Sequence, residues 1–246
     1  MDPDATPSEV DLAPRATTLA PGPIAIVAAR NEADRLGDTL ATLAEALGAE
    51  LYVADDASTD ATPDIARAFG ARVVRGDHSR GKGANVGFAC EVVLAEVSEA
   101  EERVVLLCDG DLGESAAALA PLVEAIETGE CDLAIAAFAL KVGGGFGIAV
   151  SFSRWATRRL SGIELTAPIS GQRALRGSSL RTVLPFASGY GMETAMNIDA
   201  ARAGLRLAEL ELELEHRATG RTLAGFLHRG RQLVDFLRVY RSRLRG

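Results

Sequence analysis

Apolar and polar positions along the chain follow two alternating rhythms. The short apolar run Ile24-Ala25-Ile26-Val27 reads as a strand. After it Leu36, Leu40, Leu43 and Leu47 recur at the spacing of one helical face, and Gly48 supplies a stop. A second strand is predicted at 51–54, a short helix at 62–69 ended by Gly70, and a third strand at 72–74. The first 75 residues therefore carry a βαβαβ pattern. A helix follows the Gly81-Lys82-Gly83 turn and runs to about Val97, and the apolar run 104–108 is a buried strand leading straight into Asp109.

Pro121 suits the first turn of a further helix that ends before Gly129. Another strand is predicted at 133–138, and the glycine cluster at 143–147 reads as a mobile loop able to close over a ligand. From 207 to 215 the period changes to two: Leu210, Leu212 and Leu214 face one way and Glu209, Glu211, Glu213 and Glu215 the other, as on a half-exposed strand. From 223 onward Leu223, Leu227, Val234 and Leu237 return to helical spacing with arginines between them. No internal repeat is visible. The pattern describes one wound α/β unit over 23–222, preceded by a tail at 1–22 and followed by a basic amphipathic helix at 223–246.

Composition refines this picture. A chain of 246 residues, nearly half of them apolar, can bury one sizeable core but not two full ones. The segment 1–22 is proline-rich and acidic, without the basic and apolar regions of a signal peptide, and is expected to be disordered. The apolar run 133–140, the longest considered, falls far short of the roughly 20 residues that span a bilayer. Cys90, Cys108 and Cys131 are odd in number, lack CxxC spacing and lie in apolar runs, as expected of core residues in a reducing compartment. The net charge of −8 conceals eight arginines against one acid in 216–246. An acidic body argues against nucleic-acid binding, while the basic end suits a second subunit or an anionic membrane surface.

In wound α/β sheets ligands bind where strands end in loops, so the polar residues just after each apolar run are the candidates for chemistry. They are Ala29-Arg30-Asn31-Glu32, Asp55-Asp56-Ala57-Ser58-Thr59-Asp60, Arg80-Gly81-Lys82-Gly83 and Asp109-Gly110-Asp111. Asp109 and Asp111, two apart around a small glycine, can point to one side of an extended turn, although a solvated Asp-Gly turn is the bland alternative. Asn31 and Asp60 are good helix-capping residues. Taken in order, ARNE, DDASTD, GKGAN and DGD resemble a family 2 glycosyltransferase of the GT-A fold, across about 90 residues and with a compatible pattern to about Arg221.

That resemblance implies a mixed, mainly parallel sheet between helices. It also implies a cytoplasmic enzyme, or one peripheral at the inner face of the membrane, that moves a sugar from a UDP- or GDP-sugar. Departure of a nucleoside diphosphate needs charge neutralisation, which carboxylate-bound Mg²⁺ or Mn²⁺ provides. The implied metal ligands are Asp109, Asp111 and His216, Asp111 being the more direct and an imidazole favouring Mn²⁺. The implied donor site is Ala28, Arg30, Glu32, Asp56, Lys82, Asp109 and Gly110. In it Asp56 reads the imide N–H of a uracil-like base, and Lys82 lies between glycines that let backbone approach the ligand.

The acceptor site falls on Gly171, Arg173, Tyr190, Gly191, Arg217 and Arg221. Ser170-Gly171-Gln172-Arg173 resembles the family's acceptor loop. Gly189-Tyr190-Gly191-Met192-Glu193 resembles both glucosyl-3-phosphoglycerate synthases and polyprenyl- or dolichyl-phosphate sugar transferases, so the acceptor is a phosphorylated one of either kind. Glu193 is catalytic alongside Asp111, either deprotonating a hydroxyl acceptor or only orienting it. As a carboxylate in the first turn of a helix it would also be favoured by the helix dipole alone. The basic C-terminal helix would pack on the domain, form a homodimer or rest on a membrane.

Two rival readings are weaker. A sugar-phosphate nucleotidyltransferase would carry a glycine-rich loop after its first strand, and Ala28-Ala29-Arg30-Asn31-Glu32 has no glycine. A non-catalytic nucleotide-sugar binder or membrane-docking scaffold would not need charged residues at all four strand ends.

Overall fold

A computed structural model describes residues 21–97, 99–138, 147–187, 189–214 and 237–244. The βαβαβ pattern forms as β1 (Ile24–Ala29), α1 (Leu36–Leu47), β2 (Glu50–Asp55), α2 (Thr62–Ala68) and β3 (Arg72–Arg75). Gly48 ends α1 as expected, in the left-handed conformation (φ 58°), with its N–H donating to the carbonyl of Ala44 and the next N–H, of Ala49, to that of Leu43. Then follow α3 (Lys82–Glu96), β4 (Val104–Asp109), a 3-10 turn at Gly113–Leu119, α4 (Ala120–Glu127) and β5 (Leu133–Phe138).

The second half contains elements the hydropathy pattern did not announce: α5 (Gly147–Ser161), β6 (Arg173–Arg176), α6 (Gly177–Val183) and α7 (Met192–Arg202). Gly147, expected within the glycine loop, instead opens α5, and the rest of that expected loop, 143–146, lies outside the described residues. The alternating segment becomes β7 (Leu207–Leu212), with Leu212 buried and Leu210 and Leu214 packed on the core.

The seven strands form one sheet in the order β3-β2-β1-β4-β6-β5-β7. All pairings are parallel except those of β6, which runs antiparallel to β4 and β5. Alternate residues of each strand enter opposite cores: Ala25 and Val27 belong to the one that also takes residues of α1 and α4, Ile24 and Ile26 to the one that takes residues of α3 and α7. A third small cluster joins Ala195 and Ile198 of α7 to Val239 of the helical segment 237–244, so this part of the C-terminal helix packs on the domain. Leu237 and Leu244 of the same segment stay exposed. The expected tail, apart from its last residues Pro21 and Gly22, lies outside the described residues. So does most of the expected C-terminal helix. Among the described residues no helix is long and apolar enough to cross a membrane.

Candidate active site

β1 pairs with β2 on one side and β4 on the other, so the chain order reverses at β1 and the loops beyond these strands part to leave a crevice. A cavity of about 240 Å³ occupies it, floored by Ala28, Ala29 and Ala54 and walled by Arg30, Asp56, Gly81, Lys82 and Asp109. Short alanine side chains at the strand ends leave this depth.

The loops after β1 and β2 are stitched together. Ser58 Oγ accepts the N–H of Asn31, Thr62 Oγ1 accepts that of Glu32, and Asn31 Oδ1 accepts that of Thr59. Asn31 therefore bridges two loops and does not cap α1. Asp60 is not the N-cap of α2 either, since Ala61 takes that place, but from one residue before it Asp60 accepts the N–H of Thr62 at the helix start and also that of Ala33. Glu32 begins α1 through its carbonyl and does not line the cavity, contrary to the donor role expected of it.

Asp56 faces the cavity. Its Oδ1 accepts the N–H groups of Arg80 and Gly81 and its Oδ2 the hydroxyl of Ser79, with Arg30 Nη1 at 3.6 Å. The carboxylate thus fixes the entry to α3. Gly81 takes φ 82° there, open to glycine at no steric cost. Gly83 serves packing instead: a Cβ on it would strike the carbonyl of Ala187 and lie 3.0 Å from Met192 Cβ, so this glycine lets the segment before α7 approach α3, rather than a ligand.

At the end of β4, Gly110 donates its N–H to Ala28 O at 2.9 Å. Thr39, fully buried, donates to Gly110 O and accepts the N–H of Gly113, and Arg35 Nη1 donates to Asp111 O. These bonds hold the Asp-Gly-Asp turn rigid. Neither Thr39 nor Arg35 stands out in the sequence, since each reads as an ordinary residue of an amphipathic helix.

Lys82 is one of two lysines among 26 basic residues. Its Nζ lies 2.6 Å from Asp109 Oδ1 and 3.5 Å from Glu193 Oε1. Burial alone would lower its pKa, but Asp109 and then Glu193 outweigh burial and hold it well above its usual value. Gln172 Nε2 donates to Asp109 Oδ2 at 2.9 Å, and Gly171 packs against the pair so closely that a Cβ would sit 2.5 Å from Lys82 Nζ. Glu193 stands in the first turn of α7, 6 % exposed, at the positive end of the helix dipole and beside Lys82. Asp109, Lys82, Gly171 and Glu193, far apart in sequence, thus meet at one point. Gln172 joins them unforeseen, having only its neighbours in the loop to mark it.

Arg173 does not. Its guanidinium is fully buried and donates to Ser170 O, Pro168 O and Asn197 Oδ1, and burial pulls its pKa down to about 10, still charged at neutral pH. It braces the 168–173 loop from behind, with three of its five N–H groups bonded inside the fold and none of its surface exposed. Gly191 precedes α7 and is buried, and Tyr190 has its backbone in the 3-10 turn Gly189–Gly191. His216, Arg217 and Arg221 lie outside the described residues.

A divalent cation fits this turn in one respect. No described residue bonds the Asp111 carboxylate, whereas Asp109 is engaged by Lys82 and Gln172. Among the described residues no three His, Cys, Asp or Glu side chains cluster as a complete cage. That suits Mg²⁺ or Mn²⁺ bound by one or two carboxylates and completed by waters and substrate phosphate.

The sequence profile of Glycosyl transferase family 2 matches residues 24–182, more than half the chain. No protein of curated function matches it in sequence. Among solved structures the chain is similar to glucosyl-3-phosphoglycerate synthase from Mycobacterium tuberculosis. The form in complex with Mn²⁺, UDP and glucosyl-3-phosphoglycerate superposes with a TM-score of 0.70 at 29% identity, over 91% of this chain and 80% of that one. The form with Mn²⁺, UDP-glucose and glycerol 3-phosphate gives 0.70 at 28%, with the same coverage. The form with phosphoglyceric acid gives 0.67 at 26%, again over 91% and 80%. With the switch-point cavity and its acidic turn in place, the chain belongs to glycosyl transferase family 2 and is a GT-A enzyme that uses a nucleotide-sugar donor.

Proposed function

We propose that the enzyme transfers glucose from UDP-glucose to a small phosphorylated three-carbon acid of the phosphoglycerate class. The observation that carries this reading is the Lys82 ammonium held between Asp109 and Glu193 at the mouth of the donor cavity. The relatives bind UDP-glucose, Mn²⁺ and phosphorylated three-carbon acceptors, which supports it.

In this reading Asp56 accepts the imide N–H of the uracil, and Ala28 and Ala54 leave room for the ring. Asp111, with Asp109 beside it and His216 as the further ligand expected from sequence, would hold Mn²⁺ or Mg²⁺. When bound, the cation neutralises charge on the departing diphosphate. Lys82 adds a fixed positive charge at the same end of the cavity, kept protonated by its two carboxylates. The bond from sugar C1 to the diphosphate oxygen breaks, a bond from C1 to the acceptor oxygen forms, and the hydroxyl proton leaves. Glu193 orients that hydroxyl, and is near enough to the charge centre to take its proton. The three cysteines, buried and unpaired, support a cytoplasmic location.

The test is UDP release from UDP-glucose and Mn²⁺ in the presence of 3-phosphoglycerate, glycerol 3-phosphate or a polyprenyl phosphate. Stimulation by 3-phosphoglycerate is expected. Stimulation by the polyprenyl phosphate alone, or by none of them, overturns the acceptor assignment.

A further inference from the structure

Asn85 contributes to the donor cavity in a way that the fold does not explain. It closes the first turn of α3, is only 2 % exposed, and lines the cavity with Ala28, Ala54, Asp56, Lys82 and Val86. Its backbone N–H is satisfied by Gly81 O at 3.0 Å, but no described residue bonds its side-chain amide. Folded proteins pair nearly all buried side-chain amides, and one left open toward a binding cavity is completed when a ligand arrives.

The position of Asn85 says which half of the donor completes it. Asp56 Oδ1 accepts the Gly81 N–H, and Gly81 O accepts the Asn85 N–H, so Asp56 and Asn85 flank one compartment through a single shared residue. The small Ala28 and Ala54 form its floor and Val86 its apolar wall, while the Lys82–Asp109 pair marks the other end. We propose that the Asn85 carboxamide hydrogen-bonds the nucleoside half of the donor, making it a recognition residue beside Asp56. This rests on the UDP-sugar reading above. In uracil the imide N–H lies between two carbonyls. A carboxylate that accepts the N–H leaves those carbonyls needing donors, and a carboxamide NH₂ supplies what a second carboxylate could not.

The experiment compares wild-type protein with Asn85→Leu, similar in size but without the amide, by calorimetric titration of UMP and UDP in the presence of Mn²⁺ and by thermal unfolding without ligand. UMP and UDP should weaken by the same factor, about tenfold. Ligand-free Tm should be unchanged or higher, because no internal hydrogen bond is lost. Asn85→Ala, read the same way, covers the case in which leucine does not fit. Unchanged affinity for both nucleotides overturns the proposal. So does weakening of UDP without UMP, which would move the amide to the diphosphate, or a parallel fall in ligand-free Tm of several degrees, which would make the residue structural. Failure of the wild-type protein to bind either nucleotide would instead sink the donor reading itself.

Discussion

Gly171→Ala adds one methyl group beside the charge cluster and little else. Gly171 does not occupy the left-handed region, so alanine brings no backbone strain, but its Cβ would lie 2.5 Å from Lys82 Nζ and 2.9 Å from Asp109 Oδ2, where ordinary contact begins at 3.4 Å. The lysine tip is the flexible partner and must withdraw by roughly 1 Å. Stretching the ion pair from 2.6 Å by that amount forfeits about 2 kcal/mol of gross Coulomb energy at an effective dielectric of about 20. With Lys82 and Asp109 each about a quarter to a third exposed, solvent screening leaves about 1 kcal/mol. If the cluster serves transfer, kcat/KM should fall roughly five- to tenfold, with Tm changed by only a few degrees. The assay is steady-state UDP release in a double-mutant cycle with Lys82→Ala. Because the methyl acts chiefly by displacing Lys82, its cost should be clearly smaller once the lysine is gone, when only the 2.9 Å approach to Asp109 Oδ2 is left to relieve. Wild-type kcat/KM in Gly171→Ala, or the same loss in both backgrounds, would refute the reasoning.

Four further outcomes follow from the same geometry. Asp111→Asn should abolish the Mn²⁺ dependence of UDP binding in calorimetry while leaving Tm within about 2 °C, since no described residue bonds that carboxylate. Lys82 should resist amine acylation at pH 9 in the folded protein and react in the same chain unfolded in denaturant, as mapped by mass spectrometry. Its pKa is raised, so the ion pair is fully present below the ordinary lysine value near 10.5 and fades only as pH climbs past the higher folded value. Arg173→Met should lower Tm by about 10 °C, because Asn197 Oδ1 and the Ser170 carbonyl lose their donor, while Pro168 O keeps only Asn197 Nδ2, at a cost of about 3 kcal/mol or more. Gly110→Ala, whose Cβ would meet Ala28 O at 3.2 Å and Leu36 Cδ1 at 3.3 Å, should cost about 1 kcal/mol, seen as a Tm about 3 °C lower.

The first half of the fold was legible because each of its elements buries one face and exposes another. Leu36, Leu40 and Leu43 of α1 are all fully buried at the spacing that first marked the helix. The second half was opaque for the opposite reason. α7 buries Met192, Glu193, Thr194, Asn197 and Ile198 alike, so polar and apolar residues share the interior and no periodic face appears. β6 is four residues long with arginine at both ends, and only the pairing with β4 and β5 makes it a strand.

The site divides the same way. That charged residues gather at the ends of β1, β2 and β4 follows from where strands stop, which hydropathy reports. Which side chains turn toward the cavity is decided by tertiary partners that it does not. Arg173 looked like an acceptor residue because its loop resembles the family's acceptor loop, yet its buried guanidinium donates inward to Asn197 Oδ1 and the carbonyls of Ser170 and Pro168. Gly83 looked like a glycine for a ligand and is one for Ala187. Asn85 lay inside a motif already noticed, and its open amide becomes visible only when the hydrogen bonds around it are traced.

A metal-dependent donor site at the switch point of the sheet is what the enzyme's activity requires first. The measurement that tests it is calorimetric titration of UDP-glucose into the full chain with and without Mn²⁺. One-to-one binding that strengthens at least tenfold with Mn²⁺ is predicted. Absence of binding to the folded protein in both conditions, or equal affinity in both, would contradict it.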